Sequence, residues 1–341
     1  MKALLLGLLT GHGPLLPLFA LASVGGLIFL VTARLARKAD VIAEQTGLGR
    51  LWIGSVLLAA GTSLPEILTD FNAGLLDAPD IGVGDLLGST LANMVILATL
   101  DLVFARRRIL REAAMEHTLV GLLAILLTVM AGIAIFIGGW GRIGHVGVET
   151  LAIVALYLGA MWVLRPPRET APAPVDDSRG HRSRSPLRRA MIGFAAGAAG
   201  LAVVTPLLVV SAEALSIESG LSEAFVGTLL VGLSTSFPET AATVAAIRFG
   251  AVDLAVGNIF GSNAFNMVVL LVMDVAYLRG PVLAAVSRDH LLTVLLATIC
   301  LSLGIMAILA RVWRRPGLVM VESVLIVCTY VVGVWLLSRR G

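Results

Sequence analysis

Apolar residues in this chain run in long blocks, broken at intervals by short clusters of charge, glycine and proline. Blocks of about 17 to 25 apolar residues match the thickness of a bilayer core. Ten can be drawn, at about 14–34, 47–75, 82–104, 117–138, 146–164, 189–213, 222–248, 252–278, 289–310 and 318–337. The pattern predicts an all-α polytopic membrane protein of ten transmembrane helices. Its longest break, RPPRETAPAPVDDSRGHRSRSPLRRA, is rich in Pro, Arg and Ser and lacks apolar periodicity. It reads as a flexible linker over 165–188 that divides the chain into two five-helix halves, 1–164 and 189–341.

Composition agrees: 58% of the 341 residues are hydrophobic and 14% charged, with a mean hydropathy of +0.96, which excludes an ordinary soluble domain. If the amino terminus lies outside, one face collects all but six of the 25 basic residues; Lys2, Arg142, Arg279, Arg288, Arg339 and Arg340 fall on the other. The cytoplasmic side accumulates Lys and Arg, so the linker is expected in the cytoplasm and both termini outside a bacterial-type inner membrane. The linker arginines serve as a topology signal or as a grip on anionic lipid. The opening MKALLLGLLTGHGPLLPLFALA has the basic start and short apolar core of a leader, but apolar sequence continues to Val31, which favours a retained first helix. Cys300 and Cys328 lie in apolar runs and read as packing residues.

Sliding the chain by 173 residues aligns GTSLPE at 61–66 with STSFPE at 234–239, and 16 of the 41 positions in 61–101 and 234–274 agree. Asp80 meets Asp253, Gly84 meets Gly257, Gly88 meets Gly261, Ser89 meets Ser262, Asn93 meets Asn266 and Asp101 meets Asp274. Five helices per repeat is an odd number, so the repeats are inverted, an arrangement that sets a midplane site between two discontinuous helices. Pro65 has no amide hydrogen and clashes with the carbonyl four residues back, so backbone oxygens loosen around 59–62. Lipid offers those oxygens no partner, and a cation can. Thr62, Ser63 and Glu66 add hydroxyl and carboxylate oxygens. Ser89 and Asn93 add two more from one helical face, and Thr235, Ser236, Glu239, Ser262 and Asn266 repeat the set. This all-oxygen set suits calcium, sodium or magnesium rather than zinc or copper. Asp101 and Asp274 read as capping or snorkelling residues near helix ends. Asp70 and Asp85 face Thr243 and Asn258 in the other repeat and read as access-path or interfacial charges.

At these residues the chain resembles the sodium/calcium exchangers of the cation/calcium exchanger superfamily. Their two alpha-repeats carry a Gly-Thr-Ser-Leu-Pro-Glu-like motif on helices two and seven and a Gly-Ser-Asn-x-x-Asn/Asp motif on helices three and eight; here the repeats fall at about 54–104 and 227–278. The resemblance implies an antiporter exchanging calcium for sodium by alternating access, with no cofactor beyond the transported ions, no nucleic acid and no obligate protein partner. By position, Glu66 and Glu239 would be central ligands, completed by Thr62, Ser63, Ser89, Asn93, Thr235, Ser236, Ser262 and Asn266 and by the carbonyls of Ala59 and Gly232. Thr90, Asp85 and Ser234 depart from the family pattern. Asn266 stands where potassium-dependent members carry Asp, which argues against potassium co-transport. Thr-Ser-x-Pro-Glu in place of Gly-Asn-x-x-Glu favours sodium over a calcium/proton antiporter. A cation channel remains an alternative, as does an aspartyl protease suggested by GVGD at 82–85, although that string reads AVGN in the second repeat.

Overall fold

The computed structural model describes residues 2–46, 62–104, 109–164, 184–310 and 320–339. Helices α1 (Lys2–Leu9) and α2 (Leu15–Thr46) are followed by α3 (Leu64–Leu75), α4 (Pro79–Val103), the single turn α5 (Ile109–Glu112) and α6 (Glu116–Ile137). Gly138, in the left-handed region at φ 79°, ends α6, its amide bonding Ala134 O. A two-stranded antiparallel hairpin, β1 (Arg142–Ile143) and β2 (Val146–Gly147), leads into α7 (Val148–Val163). The second half holds α8 (Arg184–Ser219), α9 (Glu223–Val226), a π turn (Gly227–Val231), α10 (Gly232–Thr235), α11 (Phe237–Arg248) and α12 (Val252–Ala276). It ends with α13 (Val282–Ala285), α14 (His290–Leu309) and α15 (Val321–Ser338).

Among the described residues seven helices, α2, α4, α6, α8, α12, α14 and α15, are long and apolar enough to cross a membrane. The blocks expected at 82–104, 117–138, 252–278 and 289–310 coincide with α4, α6, α12 and α14 to within a few residues. Helix α8 starts at Arg184, within the 165–188 span, with Pro186 in its first turn, where a missing amide hydrogen is tolerated. The block at 222–248 is no single α-helix: it passes through a π turn and breaks at Ser236, ahead of Pro238. The first half of the block at 47–75, and residues 165–183 of the linker, lie outside the described residues.

Burial separates core from rim. In α4 and α12 67% of the apolar span is buried, against 28% in α2 and α8, which pack along each other. Helix α4 meets the Gly227–Thr235 stretch backbone to backbone. A Cβ on Gly84 would stand 2.9 Å from Gly227 Cα, one on Gly227 2.6 Å from Ile81 O, and one on Gly88 would strike the Thr228 carbonyl. Small residues permit this approach, as expected for Gly84 and Gly88. On the flanks Leu119, Leu122, Leu126 and Phe136 of α6 are exposed, as lipid-facing residues are. Cys300 is buried and Cys328 exposed.

The helix ends are tied by carboxylates at positions 173 residues apart. Asp101 accepts from Leu110 N (3.2 Å) and Ser323 Oγ (2.7 Å). Asp274 accepts from Val282 N (2.7 Å), Gly147 N (2.7 Å) and Thr150 Oγ1 (2.6 Å). Both therefore cap neighbouring elements from inside the fold and neither snorkels. Asp80 accepts from Ser287 N (2.6 Å) and contacts His290 Nε2 (3.0 Å), while Asp253 accepts from Ala114 N (2.6 Å) and contacts His117 Nε2 (3.4 Å). Thr150 and Ser323, Ala114 and Ser287, and His117 and His290 keep the same 173-residue offset. The repeat thus extends in its bonding beyond the motifs that reveal it in the sequence.

Candidate cation site

Helical structure resumes at Leu64 after Ser63 (φ −87°, ψ 4°) and at Phe237 after Ser236 (φ −79°, ψ 0°), with Pro65 and Pro238 in the first turns. A residue without an amide hydrogen cannot continue a preceding helix but fits the start of a new one. Each break thereby places a glutamate, Glu66 or Glu239, in the first turn of a fresh helix. Each carboxylate lies close to its own backbone amide, where the partial positive charge of a helix start favours an anion.

Glu66 and Glu239 are buried, at 2% and 1% exposure, and near enough for their charges to repel. Asp85 acts on both and Asp70 on Glu66. Among the described residues no Lys or Arg acts on any of these four carboxylates. Thr62 reaches across to Glu239, although neither Glu239 oxygen is held at hydrogen-bond geometry, and Glu66 Oε2 also lacks a partner. Beside them Ser89 Oγ donates to Gly232 O at 3.1 Å and lies 3.2 Å from Thr235 Oγ1, which in turn donates to Asp85 Oδ1 at 2.6 Å. Asn93 Nδ2 donates to Asn263 Oδ1 at 2.9 Å, leaving Asn93 Oδ1 and Asn266 Nδ2 without partners. Ser63, Ser236 and Ser262 are buried, and Ser236 Oγ is unpartnered.

Direct contacts thus join Ser89, Thr235 and Gly232 from the two halves and link Thr62 to Glu239. Ser63, Asn93, Ser236, Ser262 and Asn266 are buried on the elements that carry these residues, and Ala59 lies outside the described residues. Asp70 and Asp85 are not interfacial: both are wholly buried, and Asp85 bonds two of the expected donors. Asn263 bonds the expected donor Asn93, and the repeat comparison passes over it because its counterpart is Thr90, whose hydroxyl donates to Leu86 O at 3.0 Å. The signal for it was the third letter of GSNAFN. Among the described residues no three His, Cys, Asp or Glu side chains gather closely enough to hold a metal alone. The donors are mainly hydroxyl, amide and carbonyl oxygens around carboxylates, a set for hard cations. Like charges buried without a basic partner are relieved by such an ion or by a proton.

Comparison with known proteins agrees with this chemistry. The chain is 29% identical over 315 residues to the inner membrane protein YrbG of Escherichia coli (strain K12), covering 87% of this chain and 90% of that one. Its fold is similar to the sodium-calcium exchanger NCX_Mj, with a TM-score of 0.55 and 18% identity over 93% of this chain and 97% of that chain. It is also similar to the H+/Ca2+ exchanger CAX, with a TM-score of 0.59 and 12% identity over 96% of this chain and 89% of that chain. The sodium/calcium exchanger protein family matches at residues 16–165 and again at 189–339, on either side of the Arg-rich linker. An exchanger is a transporter: it performs no covalent chemistry and needs no cofactor, so neither the protease nor the channel reading stands. This multi-pass membrane antiporter belongs to the sodium/calcium exchanger protein family.

Proposed function

We propose that the chain exchanges calcium for sodium by alternating access. The ion sits between Glu66 and Glu239, with Thr62, Ser63, Ser89, Asn93, Thr235, Ser236, Ser262, Asn266 and the carbonyls of Ala59 and Gly232 supplying the remaining oxygens. In this reading the ten helices form two inverted five-helix repeats, 1–164 and 189–341, joined by a cytoplasmic linker at 165–188, with both termini outside a bacterial inner membrane. The observation that carries it is the pair of buried glutamates, each in the first turn of a helix that follows a break, with no Lys or Arg acting on either among the described residues. One Ca2+ balances their two charges and lets the loaded site close. Emptied, the site buries two uncompensated charges at several kcal/mol per ion, so the carrier reorients only after other cations replace calcium.

A proton-coupled reading draws on the likeness to CAX. Sodium is preferred because both breaks carry Thr-Ser-x-Pro-Glu, and Asn266 supplies a neutral oxygen that calls for no potassium. In proteoliposomes, a sodium gradient at one pH on both faces, with the proton gradient collapsed and potassium absent, should drive uptake of radioactive calcium. Uptake driven only by a pH gradient without sodium would assign the proton instead.

A further inference from the structure

The two repeats differ at the positions flanking their glutamates. One helical turn past Glu66 stands Asp70, where one turn past Glu239 stands Thr243; one turn before Ser89 stands Asp85, where one turn before Ser262 stands Asn258. In the second repeat this pair satisfies itself, Asn258 Nδ2 donating to Thr243 Oγ1 at 3.2 Å. In the first repeat two carboxyl groups replace it, and as carboxylates neither can donate to the other. Asp85 Oδ1 is held by Thr235 (2.6 Å) and Ser89 (3.4 Å), but Asp85 Oδ2 and both oxygens of Asp70 have no hydrogen-bond partner among the described residues. Both side chains have zero exposure, and the Asp85 charge bears on Asp70.

Charge counting sharpens the difference. Glu66 lies within reach of Glu239, Asp85 and Asp70 together. One divalent ion at the two glutamates leaves ionised aspartates uncompensated, and buried anions without partners take up either a cation or a proton. Three buried carboxyl oxygens on Asp70 and Asp85 that have no partner among the described residues offer what a hard cation binds. The placement is one-sided as well. Asp70 and Asp85 lie between the central donors and the α3–α4 turn, while the neutral pair lies between those donors and the α11–α12 turn.

We propose that Asp70 and Asp85 form a second hard-cation site, separate from the one at Glu66 and Glu239 and lying one helical turn away on the α3–α4 side. A cation held there is a station on a single route to the central donors, and the other route has none. This directional part rests on the inverted-repeat reading above, whereas the binding itself does not.

The test is equilibrium binding of radioactive calcium and, separately, radioactive sodium to the purified full-length protein in detergent, at one fixed neutral pH. Wild type should show two classes of bound cation. Asp70→Asn should lose one class, or weaken it by about tenfold or more, since ligand charge sets hard-cation affinity over decades. The class abolished by Glu66→Gln should persist in that variant. Should Asp70→Asn fail to fold, the paired change Asp70→Thr with Asp85→Asn copies the neutral, self-bonded pair of the second repeat and should lose the same class. A single class in wild type, unchanged binding in either aspartate variant, or loss of both classes together overturns the proposal. Unchanged binding would mean that the aspartates share a proton. Calcium binding that survives Glu66→Gln and Glu239→Gln but loses a class in Asp70→Asn would sink the central-site reading and leave this one standing.

Discussion

Asp101 and Asp274, at the ends of α4 and α12, have both carboxylate oxygens bonded to backbone amides and hydroxyls of neighbouring elements, whereas Glu66, Asp70 and Glu239, near the middle, retain oxygens that nothing among the described residues satisfies. Burial does not separate the two groups, since none of these side chains exceeds 4% exposure. The difference lies in who supplies the donors. A buried acceptor left unmade costs about 1–3 kcal/mol, and more if charged, so a fold tolerates it only where something else completes it. At the helix ends the chain closes its own bonds and the charge is structural. In the proposed central site the open bonds would be completed by a partner that must also leave.

The hardest test of this contrast is Glu66→Gln or Glu239→Gln. Either should abolish coupled calcium uptake in proteoliposomes while the protein purifies with an unchanged gel-filtration profile; uptake near wild type would erase the distinction between centre and ends. Asp274→Asn should behave in the opposite way. Losing the charge-assisted bonds from Gly147, Thr150 and Val282 should cost about 1–3 kcal/mol, read as a lower thermal midpoint in detergent, with the transport rate per folded molecule kept. The smallest effect belongs to Ser323→Ala, which removes one donor to Asp101 and should cost about 1 kcal/mol. Thr150→Val, its counterpart 173 residues earlier, should match it. If one of the two is silent and the other severe, the helix ends are not equivalent.

Much of this was legible before any coordinates, for reasons that can be named. A bilayer sets the length of an apolar block, so the blocks at 82–104 and 252–278 fix α4 and α12 closely. Proline has one compatible place at a helix start, so Pro65 and Pro238 locate both breaks. The role of Asp85 was not legible, because its bond runs to Thr235, 150 residues away, and its repeat counterpart is Asn258. Asn263 was hidden for the same reason, its partner Asn93 lying 170 residues off. The π turn left no trace either, since GTLLV has the composition of any apolar helix. A signal was available at His117 and His290, which match at the offset that aligns the motifs but fall outside the stretch where the motifs draw attention.

The glycine seam between α4 and the Gly227–Thr235 stretch has a mechanical consequence. Where side chains interdigitate, two helices can slip by exchanging rotamers, as gears advance by a tooth. Here Gly84, Gly88, Gly227 and Gly232 bring bare backbone against bare backbone, and a Cβ on Gly232 would sit 2.7 Å from Ser89 N. With no side chains between them the two backbones pack directly, and Asp85 and Ser89 bond Thr235 across the seam. In the proposed exchanger, a swing that opens the centre to one side would be taken up away from this joint, at the turns of Ser63 and Ser236, where the helical ladder is already cut.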